Sequence, residues 1–467
     1  MSKTTASPAN STGILAEFAS QLRFADLPPE VVAHAKRCIA DTVACGLYGS
    51  TLPWTRILHE SIASVDGEGG CVVWGTPGGL SAPDAALVNG AAVHGFELDD
   101  LHQQSIVHPG SVVLPAALAL AELDTAVTGE QLVTAVVVGY EVAARVGMSV
   151  GAAHLLQGFH PTATHGTLGA AAAAGSILGL DADAMHNALG IAGTQSSGLM
   201  AAQFESMVKR FHAGRAAQSG VYSAVLAAHG YTGIDDLFES GYGGYLTTLS
   251  PRHDASLLTA GLGEVWETLR VGFKPYSTNG SCHPAIDALL ELRETEGLRL
   301  EDVDRVTLHV SSATKEHVGW LYEPDSVTTA QMNLPYIVAV VLADGDAFVN
   351  QFTPERIADP GLVAFSRRVH VEADAAIDAR GDTARHTTRL ELRLKDGRVL
   401  HAAREFARGS GRLPLTTIES AQKFDKLTEG VATARRPWEV YALVEKLDGA
   451  QSASSLAEAL RSETPMN

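Results

Sequence analysis

Between His94 and Glu122 the chain reads HGFELDDLHQQSIVHPGSVVLPAALALAE. Glu97, Asp99, Asp100, His102 and His108 crowd one short stretch, and Pro109-Gly110 breaks the chain straight after. The apolar run that follows, Val112 to Leu123, marks a segment that enters a core. Burying unpaired charge costs several kcal/mol, so such groups are solvated, paired or functional. Carboxylates beside imidazoles suit proton transfer near neutrality. They also suit zinc or iron, and the order D-D-x-H is suggestive. There is, however, no H-E-x-x-H pair and no cysteine nearby. The expectation is therefore no metal, with Asp99 and Asp100 orienting histidines and accepting backbone hydrogen bonds.

Further polar groups recur in the same half of the chain. His160 precedes Pro161, and His165 precedes Gly166, where a helix start would favour an anionic ligand. The plain alternative is a histidine packed between helices and bonded to backbone. Lys209-Arg210-Phe211-His212-Ala213-Gly214-Arg215 is a dense basic run at the start of a helical stretch, where cations oppose the helix dipole. That mismatch favours a role in binding carboxylates. Lys274, in FKPYSTNG, has the same reading, and the Tyr336 hydroxyl needs a partner if it is buried among Ile337, Val338 and Val340.

The elements that must position these groups are mostly helical. Apolar residues recur at helical spacing from Thr12 to Ser50, with Pro28-Pro29 between two helices, while residues 1 to about 12 are expected to be disordered. Helical patterns follow over Trp54 to Val65, Ser81 to Phe96, Gly129 to Val150, the Ala/Gly-rich Leu168 to Leu180, Asp181 to Gly198 and Lys209 to Gly230. Near Val271 the pattern changes. Asp302 to Ser311 and Arg368 to Glu372 alternate like strands, and Thr388 to Phe406 reads as a hairpin around Asp396-Gly397. From Thr416 the pattern is helical again. The predicted fold is mainly α: a large all-helical domain (1–270, completed by 406–467) with a smaller α+β lid domain (271–405) inserted.

Composition bounds the possibilities. The chain has 467 residues, 46% hydrophobic and 19% charged, a normal globular mixture long enough for two domains. A formal net charge of −19 disfavours nucleic acid and anionic membrane as partners. Four cysteines without a C-x-x-C pair give no disulfide framework, and the polar N-terminus lacks a signal-peptide core, so a cytoplasmic location is expected. Gln131 to Val150 carries Glu141 and Arg145, and Gln331 to Phe348 carries Pro335 and Asp344, so both apolar stretches read as buried helices and not membrane spans. No G-x-G-x-x-G opens a βαβ unit, and no Walker lysine or G-x-S-x-G elbow is present, so nucleotide cofactors and serine-hydrolase chemistry have no support.

Several segments, in order, resemble the MmgE/PrpD family. They are H-G-x-E-x-D-D, then H-P-G and P-A-x-x-A-x-A-E; G-F-H-P-T and H-G-T-L-G-A-A-A-A-A; K-R-x-H-A-G-x-A-A-x-S-G; F-K-P-Y and H-P-A-I-D-A; and L-P-Y-x-x-A with the late K-F-D-K-L. The resemblance runs from about residue 12 to about residue 450. It implies a helical domain plus a lid, normally as a homodimer, acting without cofactor on a small di- or tricarboxylate. Members include 2-methylcitrate dehydratase, cis-aconitate decarboxylase and iminodisuccinate epimerase. Carried over by motif, the catalytic positions are His108, His160, Tyr336 and Glu97. Lys209 and Lys274 would hold substrate carboxylates, with His102, Arg210 and Asn279 completing the substrate-contacting set. Glu97 stands where the decarboxylase has Asp, Leu101 where it has Thr, and Asn279 where it has a further His. Those departures weaken the decarboxylase reading in particular, and family frequency alone places dehydration of a 2-methylcitrate- or citrate-type acid first, with decarboxylation or epimerisation after it.

The chemistry implied is removal of a proton α to a carboxylate. Two lysines would stabilise the charge that develops, His108 or His160 would move the proton, and Tyr336 would assist a leaving hydroxyl. A lid carrying Lys274 would complete the site on closing. A helical protein that binds a carboxylate without turning it over is the alternative of another class.

Overall fold

The computed structural model describes residues 10–204, 207–381, 384–433, 435–449 and 452–462, and it is mainly helical with small sheets. Residues 1–9 of the expected disordered start lie outside the described residues. The disorder does not extend to residue 12, because a helix already begins at Ser11, where the Asn10 side chain accepts the Gly13 N–H.

Six helices build the part that carries the polar cluster: α1 (Pro29–Ser50), α2 (Ala82–Val93), α3 (Gly110–Ala121), α4 (Gly129–Leu156), α5 (Pro161–Ile177) and α6 (Val208–Ala228). Proline at the first turn starts α1 and α5, where its missing N–H costs nothing. Thr128 and Gln131 form a capping box at the start of α4. The Ala/Gly-rich α5 lies at the centre, packed against α3, α4 and α6. The small residues set this closeness: a Cβ on Gly139 of α4 would sit 2.8 Å from the Gly169 carbonyl oxygen, and one on Gly220 of α6 would sit 2.4 Å from the Ala170 methyl. The helix over 129–156 runs beyond the expected Val150, across a non-helical Gly151 (φ 57°). Among the described residues it is the one helix long and apolar enough to cross a membrane, and its apolar window is wholly buried in the protein. Inside it Arg145 pairs with Glu141 at 3.3 Å and donates to the Ala260 and Val265 carbonyls at 2.6 and 2.7 Å.

Among the described residues, strands longer than two residues occur only between 303 and 404: β1 (Val303–Val310), β2 (Val369–Ala373), β3 (Thr388–Leu394) and β4 (Val399–Arg404). They form one sheet in the order β2-β1-β3-β4, parallel between β1 and β2 and antiparallel elsewhere. The β3–β4 hairpin turns at the expected Asp396-Gly397, with Gly397 at φ 90°. Helix α7 (His283–Glu296) covers β3 and β4 and packs against α8 (Leu334–Asp344). After the sheet, helix α9 (Thr417–Thr428) returns to pack on α1. A single contiguous hydrophobic cluster runs from Leu15 through Val306 and Leu390 to Leu460, so the sheet-bearing section shares a core with the helices.

Two joints matter for the site. The two-residue strands Leu101–His102 and Val271–Gly272 pair antiparallel, which ties the start of the second section to the polar stretch. From α9, the buried Lys423 ammonium donates to Asp41 of α1 and to the Leu98 carbonyl, both at 2.6 Å.

Candidate active site

Glu97 lies between the 3-10 turn His94–Phe96 and the short strand at Leu101, with φ 56° and ψ 32°. A non-glycine residue with positive φ is uncommon and has to be held there by its surroundings. What holds it is charge. The carboxylate is 1% exposed and takes Lys209 and Arg210 on Oε1 and Lys274, at 3.3 Å, on Oε2. Burial alone would raise the Glu97 pKa, but Lys209, Lys274 and Arg210 outweigh it and hold the carboxyl well below its usual range. Lys209 responds in the opposite sense. Burial and the neighbouring Arg210 pull it down to about 8 against the attraction of Glu97.

The strand pairing explains how Lys274 arrives. Gly272 opposes Leu101, so continuing the antiparallel register places residue 274 opposite residue 99. Lys274 Nζ lies 3.9 Å from Asp99 Oδ1. Arg210 is fixed from its other side by Gln331, whose Oε1 accepts at 3.1 Å while its amide nitrogen donates to the Phe96 carbonyl and to Ser277.

Asp99 and Asp100 are adjacent, both fully buried, and in opposite charge states. Burial tends to raise Asp99, yet His108, His94 and Lys274 together hold it below the carboxylate range. Burial pushes Asp100 up to about 8, only partly offset by the Tyr140 hydroxyl donating at 2.6 Å and the Gly110 N–H at 2.9 Å. Asp99 thus faces His94 as an ionised acceptor (Nδ1 to Oδ2, 2.6 Å), and Asp100 is a protonated structural acid at the start of α3.

The histidines form a row. His108 donates from Nδ1 to the Asp100 carbonyl at 2.7 Å, which leaves Nε2 as the basic atom, and its backbone N–H donates to Thr162 on the first turn of α5. Burial first, and then Lys274, bring it down to about 3 against the pull of Asp99, so the ring is neutral. The His94 ring stands 5.1 Å from that of His108 and 5.4 Å from that of His160. His160, at the N-cap of α5, approaches His212 of α6 with Nδ1 atoms 3.1 Å apart. His160 is held neutral by burial and by the charge of Lys209.

Of the positions expected from sequence, Glu97, His108, His160, Lys209, Arg210 and Lys274 come together. Three expectations need correction. Tyr336 sits in the core of α8, its hydroxyl donating to the Gln351 carbonyl at 2.6 Å and its ring 4.7 Å from that of Tyr322, so it does not reach the cluster. His102 is committed to Ser105 at 2.8 Å and Glu267 at 3.2 Å, because strand alternation turns it away from Leu101. Asn279 caps the turn Gly280–Cys282 through its Oδ1, which accepts the Ser281 N–H at 2.9 Å. His165 is buried away from the cluster, as the plain alternative has it, but its ring bonds to the Tyr245 hydroxyl at 2.9 Å and not to backbone.

Sequence reasoning passed over His94 and His212. His94 opens the H-G-x-E-x-D-D segment itself, and His212 stands three residues after Lys209, one turn on along the same helix face. One atom from each of His94, Asp99 and His108 falls within a 4.8 Å set that would suit a cation. The Lys274 ammonium, 3.9 Å from Asp99, adds a positive charge that opposes a cation in this set. Buried cations next to neutral imidazoles with a free ring nitrogen instead suit anion binding joined to proton transfer.

Comparison with known proteins agrees with this chemistry. Residues 13–257 match the MmgE/PrpD N-terminal domain and residues 276–447 the MmgE/PrpD C-terminal domain. A cis-aconitate decarboxylase-like protein of Aspergillus oryzae is 32% identical over 474 residues, spanning 97% of this chain and 98% of its own. The cis-aconitate decarboxylase of Aspergillus terreus is 32% identical across 98% of both chains, and that of Homo sapiens is 27% identical across 95% of this chain and 93% of its own. With both halves matched and the whole length aligned, the chain belongs to the MmgE/PrpD family.

Proposed function

We propose that the protein is a cofactor-free lyase acting on a small di- or tricarboxylate, with decarboxylation of a cis-aconitate-type acid as its reaction. The observation that carries this reading is the convergence of Lys209, Arg210 and Lys274 on one buried point beside the His108 and His160 imidazoles. A polyanion needs several cations in one place, and exclusion of water strengthens each contact. The acidic net charge of the chain is no obstacle, because local focusing governs capture.

Two observations favour decarboxylation over dehydration. The full-length relatives named above are cis-aconitate decarboxylases or a protein like them. Dehydration also needs a group to assist the leaving hydroxyl, and the Tyr336 hydroxyl assigned to that role is committed to Gln351. Decarboxylation asks for less. A carbon–carboxylate bond breaks, CO₂ leaves, the electron pair is stabilised through a remaining carboxylate held by the lysines, and one proton takes the vacated place on carbon. The proton reaches the closed site along the imidazole row. His212, the half-buried member, recharges His160, and His108 or His160 delivers to carbon. The sheet-bearing section, which carries Lys274, acts as the lid over this site. Loss of water from a citrate-type acid remains the second reading, supported by Glu97, Leu101 and Asn279 where the decarboxylase has Asp, Thr and His.

The test is product analysis by NMR in D₂O with purified protein and a panel of cis-aconitate, citrate, 2-methylcitrate and iminodisuccinate. Release of CO₂ from cis-aconitate with one deuteron incorporated on carbon is expected. Turnover of a citrate-type acid alone would replace this reading with the dehydratase, and turnover of none with a carboxylate-binding protein.

A further inference from the structure

A cavity of about 140 Å³ lies where the helical and the sheet-bearing sections meet. Its walls come from both sections: Met200, Gln203 and Phe204 from the segment leading into α6, and Ser281, His317 and Arg385 from the sheet-bearing part. Two atoms of these walls, Gln203 Oε1 and His317 Nε2, are buried and without a hydrogen-bond partner within the protein. Buried polar groups are rarely left so, and such an atom in a cavity wall marks a place where a ligand completes the bonding. His317 senses the charges of Lys209, Arg385 and Glu97, which puts the cavity within electrostatic reach of the Lys209–Glu97 pair, and Ser281 in its wall follows Gly280, which stands with Lys274 in the wall of a neighbouring cavity. Glu316 also lines it, but as an exposed residue.

We infer that this cavity is a subsite for the distal carboxylate arm of the substrate, bound by His317 and Gln203. The inference rests on the polycarboxylate reading above and deepens it by assigning the third carboxylate of a tricarboxylic acid a place of its own. As a neutral ring His317 donates from Nε2–H to a carboxylate oxygen. The Gln203 amide, turned about its last bond, puts its nitrogen where its oxygen stands and donates as well. The cavity is well below the several hundred Å³ of sites for drug-sized ligands, which restricts it to a short arm such as carboxymethyl.

Cis-aconitate and citraconate differ by that one carboxylate, a carboxymethyl group in the first being a methyl group in the second. The experiment compares the affinities of the two acids, by calorimetry and by competition, for the full-length wild-type protein and for His317→Leu and Gln203→Leu. The wild type should favour cis-aconitate by about 10- to 100-fold, the worth of one or two charge-assisted hydrogen bonds. Each variant should bind citraconate as the wild type does and lose most of its preference, to within about threefold for His317→Leu. Unchanged preference in both variants, with citraconate still bound, overturns the subsite alone. Failure of the wild type to bind either acid overturns the polycarboxylate reading and the subsite with it. Should His317→Leu not fold, as judged by its melting curve, Gln203→Leu alone decides by the same ratio.

Discussion

Asp99 and Asp100 are neighbours in sequence, one assigned as ionised and the other as neutral, and exchanging each for its amide separates them. At pH 7 a carboxyl raised to about 8 is protonated about ten times more often than not, so Asp100→Asn replaces a neutral acid by a neutral amide of the same shape. It keeps an oxygen for the Gly110 N–H and disturbs the Tyr140 hydrogen bond, a loss of about 1 kcal/mol. Asp99→Asn removes a buried charge that faces His94, His108 and Lys274, where breaking one partner of a buried pair costs about 3–5 kcal/mol. Turnover of cis-aconitate should stay within about threefold of wild type in Asp100→Asn and fall by about 10²-fold in Asp99→Asn, which loses the group that orients two imidazoles. Stability gives a second, signed readout. The folded state holds the Asp100 proton between its free value of 3.8 and about 8, while the unfolded chain releases it near 3.8. The contribution is therefore complete below 3.8 and lost as pH rises to about 8, by about 1.4 kcal/mol per unit. Urea unfolding from pH 5 to 8 should show Asp100→Asn gaining on the wild type as pH rises. If the wild type instead gains on the variant, or if Asp99→Asn is the milder change, the assignment of charge to this pair is wrong.

His108→Ala should lower kcat by about 10²-fold or more with an unchanged circular-dichroism spectrum; near-normal turnover would remove the proton-transfer role from this residue. Because Lys209 is brought down to about 8 and acts as a cation, kcat/KM should decline above that pH, and a profile flat to pH 10 would show that the lysine keeps its proton. Lys423→Met should destabilise the protein by about 3–5 kcal/mol in urea, by leaving Asp41 unpaired, and should slow turnover by loosening the Leu98 backbone between Glu97 and Asp99. Full activity in that variant would show that the α9 anchor does not position the site.

What the sequence disclosed follows from the range of the interactions involved. Periodicity reports a local burial pattern, which is why the β3–β4 hairpin and α6 lie where alternation and helical spacing put them. Residue types inside one turn or one loop are equally local, and Glu97, Asp99 and His108 were legible for that reason. The partners were not. That Lys274 meets Asp99 depends on a two-residue strand pairing across more than half the helical part, too short to leave an alternating signature. Tyr336 shows the converse error: a tyrosine in an apolar helix signals only that its hydroxyl has a partner, and the partner is the Gln351 carbonyl. The extent of a separate lid was likewise beyond periodicity, since the strands cluster at 303–404 while the hydrophobic core runs on without a break.

Glu97 shows how far composition and site diverge. In an acidic chain three cations buried together would repel one another, and their desolvation would exceed any gain from packing. A carboxylate placed at their meeting point removes that cost, and it has to be carried on a residue whose backbone is bent into the left-handed region to reach there. Positive φ strains a residue with a Cβ, so Glu97 is held by the ion pairs it makes and not by its own preference. The same three cations that stabilise this carboxylate are the ones a substrate carboxylate would use. On the proposed function, substrate affinity in this site is thus set by competition between two anions, one of them covalently part of the protein. The length of the Glu97 side chain, one methylene more than Asp, decides how deeply the internal anion sits among the cations.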